Sequence, residues 1–226
     1  MSKLIWDAVG AKKYENGVDH GVFYPYANAV YGEGVAWNGL TAVNENPSGG
    51  EANDIYADNI KYASLRSAET FGATIEAYTY PDAFAECDGS AELTTGVLIG
   101  QQERKMFGFS YRTMEGDDSG STSTKNYKIH LIYGCTVSPS EKAYQTINDS
   151  PDAITFSWEL ESTPVPVTGL KPTASLVIDC AKLTDAQVAD IEAALYGTDA
   201  DGSQVASSGT LPLPDEVKTI ITGAAG

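Results

Sequence analysis

Along "AITFSWELES", residues 153 to 162, apolar and polar positions alternate. Ile154, Phe156, Trp158 and Leu160 fall on one side of an extended chain, and Thr155, Ser157, Glu159 and Glu161 on the other. A period of two predicts a strand with one buried face. Pro164 and Pro166, which cannot donate ladder hydrogen bonds, end it. The pattern recurs in "ERKMFGFSYRTM" (103–114), where Phe107, Phe109 and Tyr111 share a face, and in "KNYKIHLIYGCTV" (125–137), where Tyr127, Ile129, Leu131 and Tyr133 do. The polar "EGDDSGSTST" between them, with Asp117 and Asp118, predicts a hairpin with an exposed tip. Its strands are expected to pair across a common aromatic-rich core. "ANDIYADNIKYASLRSAETFGATIEAYTY" (52–80) reads as two extended segments around a bend near Ser64 to Ser67. Phe71, Ala73, Ile75 and Ala77 line one face of the second segment, and Thr70, Thr74, Glu76 and Tyr78 the other. "TASLVID" (173–179) adds a strand. Residues 21–50 give two short β runs broken by Pro25, Gly32 and Gly34. They end in a loop with Asn46, Pro47, Gly49 and Gly50 whose composition cannot sustain a ladder.

Helical spacing is confined to three places. In "KLTDAQVADIEAALYG", Thr184 and Gln187 form a capping box, Leu183 and Val188 a hydrophobic staple, and Gly197 a C-terminal cap. Val188, Ile191 and Leu195 make the stripe that packs on a sheet. "PDAFAECDG" predicts one or two turns from Pro81, and "LPLPDEVKTIITG" a short helix from Pro214 or Asp215. The sum is a mainly β fold of sandwich or barrel type with one or two flanking helices. The division expected is a β-domain over 1–197, with its packed helix at 184–196, and a linker-like extension over 198–226 with a short helix. The predicted core comprises Phe71, Ile75, Phe109, Ile129, Leu131, Ile154, Phe156, Trp158 and Leu160.

Charge changes the picture next. With 14 basic and 31 acidic residues the formal net charge is −17. That excludes a tight grip on nucleic acid phosphates, which needs clustered cations to release counterions. The three cysteines, Cys87, Cys135 and Cys180, are widely spaced among apolar neighbours and are expected as buried free thiols. "MSKLIWDAVGAKKY" has no apolar signal core and no stretch reaches membrane-spanning length, so a soluble chain made without an export signal is expected.

The search for catalytic chemistry is mostly negative. His20 and His130 have no second His or Cys at metal-ligand spacing. Ser110 in "GFSYR" lacks a nucleophile elbow, and "GEGVAW" is too short for a dinucleotide fingerprint. "DADGS" from Asp199 lacks the Gly and bidentate Glu of a calcium loop. Glu76, Glu159 and Glu161 are the carboxylates that a glycosidase would need by type. No spacing places two of them across a sugar, so a non-enzyme without cofactor or metal is expected.

The stretches 57–89, 127–167 ("YKIHLIYGCTVSPSEKAYQTINDSPDAITFSWELESTPVPV") and 211–217 ("LPLPDEV") resemble the major tail protein, or tail tube protein, of long-tailed phages infecting Gram-positive bacteria. Tyr133, Gly134, Pro139, Ser140, Ser150, Pro151, Trp158, Thr163 and the "LYG" at 195–197 carry the match. The resemblance implies a β-sandwich-like subunit with a packed helix, found in the virion tail after synthesis in the host cytoplasm. Such subunits form six-fold rings, stacked as a hollow tube around a tape-measure protein, joined to tail terminator and distal tail proteins, and later conducting DNA. On that reading Glu76, Glu159 and Glu161 face the lumen, with Arg112, Lys128 and His130 pairing with them across strands, and the loops at Asn46–Gly50 and Asp117–Asp118 touch the next ring. The tube of a contractile tail or tailocin is the nearest alternative, and a carbohydrate-binding or glycosidase β-sandwich a distant one.

Overall fold

The computed structural model describes residues 4–119, 126–146, 153–200 and 206–223. Part of the expected hairpin tip (120–125), Ser150 and Pro151, and residues 201–205 of the linker-like stretch lie outside them. The strands are β1 (Lys13–Ala27), β2 (Val35–Trp37), β3 (Leu40–Glu45), β4 (Ala52–Ala57), β5 (Ile60–Arg66), β6 (Gly72–Ala77), β7 (Ala91–Thr94), β8 (Val97–Ile99), β9 (Phe107–Asp117), β10 (Tyr127–Val137), β11 (Phe156–Ser162) and β12 (Ser175–Asp179). Two α-helices follow, α1 (Asp185–Tyr196) and α2 (Pro214–Gly223). The fold is therefore mainly β, dominated by one large antiparallel sheet.

That sheet runs β1–β9–β10 and then forks. The first half of β10, Lys128–Ile132, pairs with β12, and its last residues, Cys135–Val137, pair with β11. Gly134 makes the fork. Phe107 is opposite Cys135 and Phe109 opposite Ile132, so Gly108 faces two residues of β10, a bulge with Gly134 at φ +59°. A Cβ there would come 2.4 Å from the Thr163 carbonyl, so glycine is required. Beyond the fork β11 pairs with β6, and β6 with β3. The segment β2–β3, turned at Gly39 (φ +77°), joins both ends of this path: β2 pairs with Gly21–Phe23 of β1, and β3 with β6. The sheet so closes into a barrel at that end.

The hairpin β9–β10 is buried on both faces. This corrects the single aromatic core expected from its alternation. Phe107, Phe109 and Tyr111 point into the barrel with Phe23, Trp37, Ile75, Phe84, Ile132, Trp158 and Leu160. Tyr127, Ile129, Leu131 and Tyr133 point the other way, against Tyr24, Ile178, Val188, Ile191, Leu195 and Val217. The physical reason is that antiparallel partners in register place opposite parities on opposite faces: Phe109 is paired with Ile132, and Arg112 with Ile129. Of the other expected core residues, Ile75, Trp158 and Leu160 are buried in the barrel, Phe71 and Phe156 pack partly buried against it, and Ile154 is half-buried just ahead of β11.

The helices cover the second core. The capping box of α1 forms in both directions, Thr184 N donating to Gln187 Oε1 at 2.9 Å and Gln187 N to Thr184 Oγ1 at 3.3 Å. The Gln187 amide then donates to the Ile221 carbonyl of α2 at 2.9 Å. The segment read as an extension packs on the same core through Leu211 and Val217, and is fixed by Thr210 N to Ala194 O at 2.8 Å and Gly34 N to Gly209 O at 2.7 Å.

Trp158 is fully buried in a lattice of rings, edge-on to Trp37 (5.3 Å between centroids), Tyr80 (5.4 Å) and Phe84 (5.4 Å). Its indole Nε1 has no hydrogen-bond partner, so the residue contributes shape and not polarity. Trp158→Ala is expected to cost about 3 to 5 kcal/mol, and Trp158→Phe, which also removes the unpartnered donor, much less. Urea unfolding followed by far-UV circular dichroism checks the order of the two.

Candidate functional site: an acidic sheet face beside a projecting hairpin

The outer face of β11–β6 follows from the burial of its inner face. Because Trp158 and Leu160 must enter the barrel, Glu159 and Glu161 stand outside, and because Ile75 enters, Glu76 does likewise. Glu159 is opposite Thr74, Glu161 opposite Gly72, and Glu76 opposite Ser157, so the three carboxylates occupy one surface. Glu159 and Glu161 are exposed and Glu76 is half-buried. Asn46, Thr70, Gly72 and Ser162 complete a shallow groove around the first two. Among the described residues no Lys, Arg or His pairs with any of them.

Arg112, Lys128 and His130 do not reach this face, contrary to the pairing expected from sequence. β10 meets β11 only after Gly134, so residues 128–130 lie beside β12 and β9 instead. Arg112 points to the second core, where its Nε and Nη2 donate to the two Asp19 carboxylate oxygens at 2.8 and 2.9 Å and its guanidinium lies 4.6 Å above the Tyr127 ring. Lys128 pairs with Glu15. His130 stacks on Tyr111, 4.6 Å between centroids and 9° from parallel, with Nδ1 3.7 Å from Glu45 Oε1. Tyr111 Oη donates to Glu45 Oε1 at 2.9 Å. These partners hold the carboxyls of Asp19 (by Arg112), Glu15 (by Lys128) and Glu45 (by His130, then Tyr111) below their ordinary values, against the opposing effect of burial.

Beside the acidic face the chain leaves the barrel. Ser48–Gly49 pairs with Glu69–Thr70, and the Ser48 and Thr70 hydroxyls lie 2.8 Å apart, so the loop thought unable to sustain a ladder holds a short one. Asn46, Pro47 and Gly49 remain exposed and Gly50 is half-buried. Beyond it β4 and β5 form a two-stranded sheet of their own. They turn at Asp58 and Asn59, both with positive φ (+52° and +63°), and not at Ser64–Ser67 as read from sequence. Successive left-handed residues define the tight turn that matches strand twist, and Asp-Asn is its overlooked signal. The hairpin exposes Tyr56 (67%), Ile60 (65%), Tyr62 (75%) and Leu65 (56%) to water. A second hairpin, β7–β8, also missed in the sequence, exposes Leu93 and Leu98; its signal was Thr95-Gly96, with Gly96 at φ +81°. At the other predicted loop Asp117 ends β9, and Asp118 accepts from Gly10 N at 2.7 Å.

Three further features bear on chemistry. The described residues contain no group of His, Cys, Asp or Glu arranged to hold a metal ion. Cys87, Cys135 and Cys180 are buried free thiols, pushed up by burial to about 12 for Cys87 and about 11 for Cys180. No described helix is long and apolar enough to cross a membrane. A scan of protein-family models and a search of curated proteins found no match to the chain.

Replacing both unpaired carboxylates, Glu159→Gln with Glu161→Gln, is expected to change stability by no more than about 0.5 kcal/mol per site, the range of surface changes. Arg112→Ala, which leaves Asp19 and the Tyr127 ring without their cation, is expected to cost about 1 kcal/mol after allowance for the partly solvated Asp19. Thermal unfolding of the two variants at one ionic strength checks both.

Proposed function

We propose that this chain is a structural subunit that assembles into stacked six-fold rings, forming the hollow tail tube of a long-tailed phage, with the acidic β11–β6 face toward the channel. The observation that carries the reading is the β4–β5 hairpin. A chain with two well-filled cores leaves five large apolar side chains of an isolated two-stranded hairpin, Ile55 with the four above, in water, and such a hairpin is marginal on its own. Another copy of the chain would cover it. The resemblance of residues 57–89, 127–167 and 211–217 to tail tube proteins supplies the geometry of that copying, ring upon ring. It also supplies the further partners: a tape-measure protein inside, and terminator and distal tail proteins at the ends.

The acidic face fits the second half of the reading. Carboxylates without paired cations repel phosphates, so passing DNA would slide instead of adhering. Repeated in every subunit, the same small repulsion lines the whole channel.

Negative-stain microscopy and sedimentation of the purified chain at rising concentration test the assembly. Tubes or rings are expected for the wild type. A chain that stays monomeric at every concentration and in lysates of a producing strain would overturn it. Tyr56→Ser with Tyr62→Ser should abolish assembly while leaving the monomer's unfolding midpoint unchanged. Glu159→Lys with Glu161→Lys should leave tubes intact but slow genome release from assembled particles. The delay should shrink as salt rises and screening shortens to about 8 Å at physiological strength.

A further inference from the structure

The two exposed hairpins leave the barrel at opposite ends of one strand. β4–β5 is inserted between Glu45, the last residue of β3, and Gly72, the first of β6, whereas β7–β8 is inserted between Ala77, the last of β6, and Phe107, the first of β9. β3 and β6 are antiparallel with Glu45 opposite Ala73, so the first insertion is at the Gly72 end and the second at the Ala77 end, about 20 Å apart for a strand of 6 residues. Each root is closed by the backbone. Ser67 N donates to the Glu51 carbonyl at 3.4 Å below β4–β5, and Gln102 N to the Gly89 carbonyl at 2.9 Å below β7–β8. The apolar side chains beyond are thus carried outward on fixed stalks.

Both hairpins have the same deficiency. β7–β8 exposes Leu93 (68%), Val97, Leu98 (58%) and Ile99, as β4–β5 exposes its five, and neither sheet has a third strand. Two strands leave both outer edges with unpaired N–H and C=O groups and are marginal until a further strand or packed surface is added. Charge distinguishes the partners that each can take. Glu92 is the only charged residue over 91–99; it is exposed, and its Oε1 accepts from Gly96 N at 3.1 Å. β4–β5 carries Lys61, paired with Asp54 at 2.8 Å, and exposed Arg66, which pairs with no carboxylate among the described residues. Joining β7–β8 to a second β7–β8 would bring Glu92 toward Glu92, and joining it to β4–β5 brings Glu92 toward a free guanidinium.

Symmetry points the same way. A two-fold pairing of either hairpin with its own copy would leave the other hairpin in water on both subunits. One head-to-tail contact covers both, and because its two surfaces lie at opposite ends of the barrel it repeats from copy to copy. We infer, resting on the assembly proposed above, that β7–β8 is the receptor for β4–β5: the β4–β5 hairpin of one copy docks on the Leu93–Ile99 sheet of the next, with Arg66 beside Glu92.

The size of the contact sets how it works. Residues 52–66 and 91–99 are fewer than the roughly 20 to 30 per side of a stable pairwise interface, so one such contact is weak. Contacts made in parallel between two layers of copies reinforce one another, because after the first has formed the others are intramolecular. The same pair of hairpins therefore leaves dilute copies separate and holds stacked layers together.

Thiol cross-linking of the full chain tests the contact separately from tube formation. The three native cysteines are buried, so single exposed thiols at Ser64→Cys in β5 and Thr94→Cys in β7 report contact between copies when treated with a short bismaleimide. An equal mixture of the two variants is expected to give several-fold more cross-linked dimer than either alone. Arg66→Glu added to the first chain should lower that yield, and Glu92→Lys added to the second should restore it. Ile5→Ser with Trp6→Ser, which removes exposed apolar side chains of the N-terminal stretch, should leave it unchanged. Dimer from either variant alone as abundant as from the mixture means that a hairpin meets its own copy and overturns the inference; loss of the cross-link in the Ile5→Ser, Trp6→Ser chain makes the N-terminal stretch the occupant and also overturns it. Tubes seen by microscopy without the mixed cross-link overturn the inference and leave the tube reading standing. A mixed cross-link from a chain that forms no tubes keeps the pairing and overturns the tube reading, and absence of both overturns both.

Discussion

A single extra residue opposite Gly108 organises this molecule. Before Gly134 the odd-numbered residues of β10 face the helices and the even-numbered ones the barrel; after it Cys135 and Val137 face the barrel. The same bulge hands the edge of β10 from β12 to β11, so one strand serves both branches of the sheet and two cores. A Cβ at 134 would meet the Thr163 carbonyl, and the Gly134 amide is held by the Tyr31 hydroxyl at 2.9 Å, so neither conformation nor position is free to vary. Everything outward of the fork, including the acidic face, inherits its orientation from that phase change.

The two cores divide polar duties differently. The barrel core is a ring lattice centred on Phe84, which meets Phe23, Phe107 and Trp158 edge-to-face and Trp37 at a tilt of 54°. The helix-covered core is rich in tyrosine, and two of the hydroxyls that it buries hold backbone carbonyls: Tyr24 donates to that of Leu195 at 2.9 Å and Tyr133 to that of Pro212 at 3.0 Å. Those two bonds attach α1 and the segment leading into α2 to the sheet at defined points, where apolar packing alone would allow sliding.

Much of this was legible in the sequence, and the omissions have physical causes. The alternation of Ile154 to Glu161 gave β11 and its two faces, because a half-buried strand has no other way to satisfy both solvents. The capping box at Thr184 and the stripe Val188, Ile191, Leu195 gave α1, since those signals are local. The first half of β1 was missed because "KYENGVDH" has no apolar pattern; its ladder with β9 is supported instead by Lys13–Glu115 and Arg112–Asp19 ion pairs with residues far along the chain. The partners of Arg112, Lys128 and His130 were misassigned for the same reason: which strand lies beside β10 depends on a bulge, and a single glycine does not announce a bulge. Of the candidate site, the acidic face was visible in the alternation, and the projecting hairpin was not, because its apolar residues look like those of an ordinary buried strand until the barrel is seen to be complete without them.

The pairing of β1 with β9 has a consequence for how the chain is made. Tyr24 meets Ser110, 86 residues later, and completes its hydrogen bonds only with Leu195, 171 residues later. A ribosome adding about 5 to 20 residues per second leaves the apolar face of β1 without its partner for roughly 5 to 20 seconds. Closure of the barrel must wait further, until β11 has emerged to meet β6. The nascent chain thus passes through a long interval as a set of unpaired strand edges, and that interval, not the finished barrel, is where edge-to-edge association with another copy competes with folding.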